Sequence, residues 1–169
     1  LSISVHKKGR MVDVVTDDEG PFSPKRAGGL PSGALVEFCY KHEKDYVSKL
    51  IRGKGGFVSY LGTNDAREVE KRIENNDEYA KLIYEALAYQ VAKSIGELAT
   101  VVEGEVDAII LTGGMAYSKL LTGWIEKRVK FISPVIVVPG ENELEALAMG
   151  GLRILRGEEE VHRFEIDKK

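Results

Sequence analysis

Cysteine is nearly absent from this chain, with Cys39 standing alone. A single thiol excludes an internal disulfide framework and fits a reducing, cytoplasmic compartment. Flanked by Phe38 and Tyr40, Cys39 is expected as a buried or half-buried structural thiol. Histidine is also scarce: His6, His42 and His162 have no Cys or second His at ligand spacing, so no zinc site is expected. Ser23 has no base near it in sequence, and no Ser-His-Asp arrangement is supported. Charge of one sign is lacking too. The formal net charge is −3, with Lys and Arg scattered among Asp and Glu. That argues against a nucleic-acid partner held by phosphate neutralisation. No apolar run is long enough to cross a bilayer, so no membrane partner is expected. Leu1-Ser2-Ile3-Ser4-Val5 is short and runs into a basic turn, and no signal peptide is read there.

What is present is one domain's worth of chain: 169 residues, 43% of them hydrophobic. The chain starts at Leu1, within a strand-like run, and is read as part of a longer protein. Ser2 to His6 alternates as a strand, Lys7-Lys8-Gly9 reads as a hairpin turn, and Arg10 to Thr16 as the return strand. Phe22 to Gly33 holds three Gly, with Pro24 and Pro31, and is expected as an irregular loop too polar and Gly-rich to be core. Helices are predicted from Ser32 or Gly33 to Tyr40, with Ala34, Leu35 and Phe38 inward, and from Lys44 to Ile51. A basic, Gly-rich turn (Arg52 to Gly56) and a short apolar run (Phe57 to Leu61) follow. Thr63 or Asn64 is expected to cap a helix over 66–75. Asp77 opens the longest helix, to about Val101, on a stripe of Ala80, Ile83, Tyr84, Leu87, Val91, Ile95 and Leu98.

The most informative stretch is Ile109-Ile110-Leu111-Thr112-Gly113-Gly114-Met115-Ala116. An apolar strand, Asp107 to Leu111, runs into a Gly pair before a helix at Ser118 to Val129. Without Cβ atoms, such a turn lets another molecule approach the backbone. In open α/β sheets ligands bind at that edge. The spacing matches neither G-x-G-x-x-G nor G-x-x-x-x-G-K-[ST], and a plain tight turn fits it equally. A strand over Pro134 to Val138 and a helix from Glu141 or Asn142 to about Arg156 complete the pattern; a charged tail, 158–169, follows. The order is a β-hairpin, an α-rich middle, then β-α-β-α. It implies a parallel pair with a right-handed crossover, hence an α/β domain with a mixed sheet flanked by helices, the pattern of the ribonuclease H-like fold.

Several segments carry a further resemblance, in order. They are His6-Lys7-Lys8-Gly9-Arg10-Met11-Val12-Asp13-Val14, Gly20-Pro21-Phe22-Ser23-Pro24-Lys25-Arg26-Ala27-Gly28-Gly29-Leu30-Pro31, Gly53-Lys54-Gly55-Gly56-Phe57 through Asn64-Asp65-Ala66-Arg67, Leu111 to Ala116, and Pro139-Gly140-Glu141-Asn142-Glu143-Leu144-Glu145-Ala146. Together they resemble the C-terminal half of the butyrate kinases, in the acetate and sugar kinase, heat-shock and actin superfamily. The resemblance covers residues 1–157, and the segment around Phe22 to Pro31 is its most specific part. It implies phosphoryl transfer between ATP and a short-chain carboxylate such as butyrate. It also implies nucleotide bound mainly on this domain with Mg²⁺, and a homodimer. The N-terminal domain, with most acyl-site residues, lies outside this sequence, so the chain alone is expected not to turn over substrate.

The resemblance also assigns roles. Arg26 is the candidate catalytic residue, a guanidinium able to clamp the transferring phosphoryl group; it reads otherwise as a solvated loop residue. Asp65 would accept from the ribose hydroxyls, and Arg67 would stack on the base; the pair also reads as a capped helix start. Gly113, Gly114 and Met115 would pass close to the nucleoside, with Ser118 near the adenine. Glu145 would support the metal through water, or serve as part of a solvated acidic first turn. Asp13 is a weaker candidate for that shell. Two other readings compete: a different actin-like-fold ATPase or sugar kinase, and a non-catalytic assembly domain built on the two long helices.

Overall fold

The computed structural model describes residues 1–161. Chain order is β1 (Ile3–Lys7), β2 (Arg10–Val15), α1 (Ser32–Cys39), α2 (Lys44–Ile51), α3 (Gly56–Leu61), α4 (Ala66–Glu74), α5 (Glu78–Ala99), β3 (Ile109–Gly113), α6 (Lys119–Val129), β4 (Val135–Pro139) and α7 (Glu143–Leu155). Short 3₁₀ turns at Thr100–Val102 and Gly114–Tyr117 flank β3. No helix among the described residues is long and apolar enough to cross a membrane.

The hairpin turns on Lys8 and Gly9, whose φ values of 52° and 75° are the pair a tight two-residue turn requires. β1 and β2 pair antiparallel, with a register shift between Val5 and His6. β3 and β4 pair parallel, Ile109 opposite Val135 through Gly113 opposite Pro139. Both pairings match the expected hand-over from hairpin to β-α-β. They do not join into the single mixed sheet expected from the sequence. Among the described residues they form separate two-stranded sheets.

Helix α5 holds the molecule together. Its 22 residues give a rod of about 33 Å. Every residue of the expected stripe is buried, and Ala80, Tyr84, Leu87 and Ala88 are fully so. Leu121, Ile125 and Val129 of α6 and Val69 of α4 close over the stripe. Tyr84 meets Phe57 and Trp124 at ring separations of 5.7 and 6.0 Å.

Asp77 shows why α5 starts where it does. One carboxylate oxygen accepts from the Ala80 N–H at 2.9 Å, and the other accepts from Arg72 Nε at 2.8 Å. Arg72 also donates to the carbonyl of Leu61 at 2.9 Å, so one side chain ties the end of α3 and the body of α4 to the start of α5.

Three local expectations are corrected. The segment around Phe22 is not excluded from the core: Pro21, Phe22 and Ser23 are buried. Phe22 packs edge-on to Phe57 and Tyr60 at 6.0 and 5.9 Å, and its N–H donates to Gln90 Oε1 at 3.1 Å. The loop fits because Gly56 takes φ 57°, and a Cβ there would lie 1.6 Å from the carbonyl oxygen of Ser23. Helix α1 buries nothing. Ala34 is exposed and Leu35 and Phe38 are half-buried, because α1 sits at the rim against α2, with Phe38 stacked on His42 and Tyr46. Cys39, at the end of α1, is exposed for the same reason. The third concerns α4, which is capped by Asp65 rather than by Thr63 or Asn64. His162 and the tail from residue 162 onward lie outside the described residues.

Candidate functional site

Three elements meet over Tyr84. The first turns of α4 supply Asp65, Ala66, Arg67 and Glu70. The 3₁₀ turn after β3 supplies Gly114, Met115 and Tyr117. The start of α6 supplies Ser118. These residues line a cleft of about 450 Å³, within the range of small-molecule sites. It lies beyond the carboxyl end of the parallel pair, where open α/β folds place ligands.

The local sequence builds each wall. Gly113 ends β3 at φ 83° and ψ −178°, a backbone conformation that suits only glycine. It exchanges two backbone hydrogen bonds with Gly140, both at 3.1 Å, which fixes the strand exit. Gly114 follows, and a Cβ built there meets nothing within 4 Å. Gly113 shapes the turn, then, while Gly114 keeps the cleft open. Ser118 caps α6: its Oγ accepts from the Leu121 N–H at 2.9 Å.

On the facing wall Asp65 caps α4, accepting from the Arg67 N–H at 2.9 Å. The same carboxylate takes Arg67 Nε at 2.9 Å and Nη2 at 2.6 Å, a two-pronged ion pair. The Arg67 guanidinium and backbone N–H hold the Asp65 carboxyl down at about 2. Asp65 is a carboxylate at any physiological pH.

The floor is a polar chain in an otherwise apolar core. The buried Tyr84 hydroxyl donates to Glu70 Oε1 at 2.8 Å and lies 3.1 Å from Ser118 Oγ. With the phenol proton on Glu70, the Ser118 hydroxyl directs its own proton at the Tyr84 oxygen. Burial, with Glu70 beside it, raises the phenol pKa well above its ordinary value, so Tyr84 stays neutral.

The charges lining the cleft are two carboxylates and one guanidinium already committed to Asp65. That set presents acceptors to neutral hydroxyl or amino donors and leaves no free positive charge for an anion. The structure thus brings together Asp65, Arg67, Gly114, Met115 and Ser118, with Gly113 directly behind them. Arg26 and Glu145 are not among the lining residues. Arg26 reaches Asp17 with its guanidinium, and its backbone bridges to Arg52. Glu145 is exposed in the first turn of α7. Asp13 is exposed on β2 and accepts from the Val14 N–H at 2.7 Å. No group of three or more metal-binding side chains forms among the described residues.

Sequence reasoning missed Glu70, Tyr117 and Tyr84. For Tyr84 a signal existed. A tyrosine inside a fully apolar stripe needs a partner for its hydroxyl. Glu70 falls three residues after Arg67, on the same helix face.

The fold is of the actin-like ATPase class, with a cleft of small-molecule size at the strand ends. The acetokinase family model matches residues 1–121. Butyrate kinase 2 of Clostridium acetobutylicum is 51% identical over 168 residues, covering 97% of this chain and 47% of that protein. The crystal structure of Porphyromonas gingivalis acetate kinase superposes with a TM-score of 0.81 at 26% identity, over 91% of this chain and 46% of that one. Acetate kinase from Entamoeba histolytica shares the fold, with a TM-score of 0.81 at 18% identity, over 91% of this chain and 48% of that one. The chain belongs to the acetokinase family. It spans about half the length of the relatives it matches.

Proposed function

We propose that this chain is the nucleotide-binding half of a carboxylate kinase, one that moves a phosphoryl group between ATP and a short-chain carboxylate such as butyrate. The observation that carries this reading is the cleft itself. Residues from α4, the β3 exit and the start of α6, far apart in sequence, converge on one nucleoside-sized space. Asp65 accepts from the ribose hydroxyls, Met115 packs on the base, and Gly114 lets the backbone lie against it. The Arg67 plane flanks the ring.

Phosphoryl transfer depends on positioning and positive charge. Arg26 supplies that charge by exchanging Asp17 for phosphate oxygens. Mg²⁺ takes only one or two carboxylates and arrives with the phosphates, so the lone Glu145 fits a role through water. When bound, the metal neutralises charge on the phosphoryl oxygens. The acyl site lies on the part of the enzyme beyond this sequence, and turnover is expected only when both halves are present. We place the enzyme in the cytoplasm.

Assembly is compatible with this chemistry. Outside its buried stripe α5 carries a second, exposed apolar row, Tyr79, Leu82 and Tyr89, on a face a second copy can cover.

Calorimetric titration of the chain with ADP and Mg²⁺, repeated with Gly114→Val, tests the site. A Cβ at Gly114 meets no protein atom within 4 Å, so the added side chain takes up cleft space, and binding is expected in the parent and lost in the variant. Equal binding by both proteins removes the nucleotide from this cleft.

A further inference from the structure

Glu70 is the cleft residue with chemistry left over. Both oxygens of Asp65 accept from Arg67, and their remaining lone pairs are the ones assigned above to the ribose hydroxyls. Ser118 Oγ accepts from Leu121 and faces Tyr84. Glu70 spends only Oε1, on the Tyr84 phenol. Its second oxygen has no hydrogen bond among the described residues, and the side chain lines the cleft half-buried beside Ser118.

A carboxylate in that position accepts and never donates. Its anchor is rigid, because Tyr84 is fully buried and wedged between Phe57 and Trp124. A flexible surface glutamate has no such constraint. The phenol fixes which oxygen faces inward and leaves the other toward the ligand.

We propose that Glu70 reads the base of the bound nucleotide: its open oxygen accepts from an exocyclic amino group, and Tyr84 is the positioning residue that holds it there. The inference rests on the nucleotide reading of the cleft. A purine with a 6-amino group meets this acceptor with a donor. A purine with a 6-oxo group brings lone pairs against a carboxylate, which leaves both acceptors unpaired and repelling. At the C6 position the site therefore selects the 6-amino group of adenine over the 6-oxo group of hypoxanthine.

Trp124 is the sole tryptophan, with its ring 6.0 Å from that of Tyr84, and gives an optical reading of the site. Fluorescence titrations with ADP and with IDP, which differ at the C6 substituent and its tautomer, test the proposal on the parent chain, Glu70→Gln and Tyr84→Phe. The parent is expected to prefer ADP by about tenfold or more, the ratio for a hydrogen bond to a charged group. In Glu70→Gln, whose amide can donate as well as accept, the preference falls to within about threefold, with IDP bound no worse than by the parent. Tyr84→Phe keeps the ring packing and gives an intermediate ratio. A merely structural tyrosine weakens both nucleotides equally and leaves the ratio alone. Equal binding of ADP and IDP by the parent overturns the proposal while the nucleotide reading stands. A parent preference that survives undiminished in Glu70→Gln or in Tyr84→Phe also overturns it. Failure of the parent to bind either nucleotide removes both readings.

Discussion

Adjacent glycines do different work at the end of β3. Gly113 sits at φ 83°, where a side chain is strained whatever space surrounds it. Gly114 has an ordinary backbone and open space where its Cβ would be. Gly113→Ala is therefore expected to cost about 1–3 kcal/mol in urea unfolding, and Gly114→Ala much less. Equal stability of the two variants contradicts this division of labour. From sequence the two residues are indistinguishable, because a Gly-Gly pair says that freedom is needed without saying which residue uses it. The same limit applies to Asp65. Its motif marks it as a ligand residue or as a cap. The structure shows it capping α4 while holding Arg67, which is the cap reading.

At the scale of the element, α5 depends on its first residue contacts. Asp77→Ala removes the cap on Ala80 and the partner of Arg72, and is expected to lower stability in thermal or urea unfolding at neutral pH. Asp77→Asn keeps an acceptor for the cap and is expected to cost less. The Asp77 carboxyl lies below its ordinary 3.8, first through the Ala80 N–H and then through Arg72. A carboxyl depressed in the folded state stabilises above its unfolded pKa and loses that contribution as pH falls through the folded value. The stability gap between parent and Asp77→Ala is therefore constant above about pH 5 and narrows as pH falls below about 4. A gap independent of pH down to acid unfolding rules out the charged cap. The boundaries of α2 and the stripe of α5 were legible in the sequence because periodicity and capping are local. The burial of Phe22 was not. Its neighbours are polar and Gly-rich, and its partners Phe57, Tyr60 and Gln90 come from other segments.

For the whole molecule, the buried face of α5 is spent inside the chain and its second face is not. Leu82 is 59% exposed, between Tyr79 and Tyr89 at 50% each. Light scattering of the purified chain is expected to give a dimer. Leu82→Glu is expected to give a folded monomer whose melting temperature, unlike the parent's, does not rise with protein concentration, since the side chain contributes little to the protomer core and only a bound partner stabilises by mass action. A monomeric parent ends the assembly proposal.

By itself the sequence determined the order of the strands and of every helix but α3, which it showed only as a short apolar run, together with the helical core stripe, the hairpin turn, the Gly-Gly strand exit and the family resemblance. Each of these rests on patterns within a few residues or on motifs in order along the chain. The separation of the hairpin and the parallel pair into two sheets was decided only by tertiary structure. So was the burial of the Phe22 loop, and so was the convergence of Asp65, Glu70 and Ser118 around Tyr84. Those depend on which distant surfaces α5 brings into contact, and no local pattern encodes the distance between two walls of a cleft.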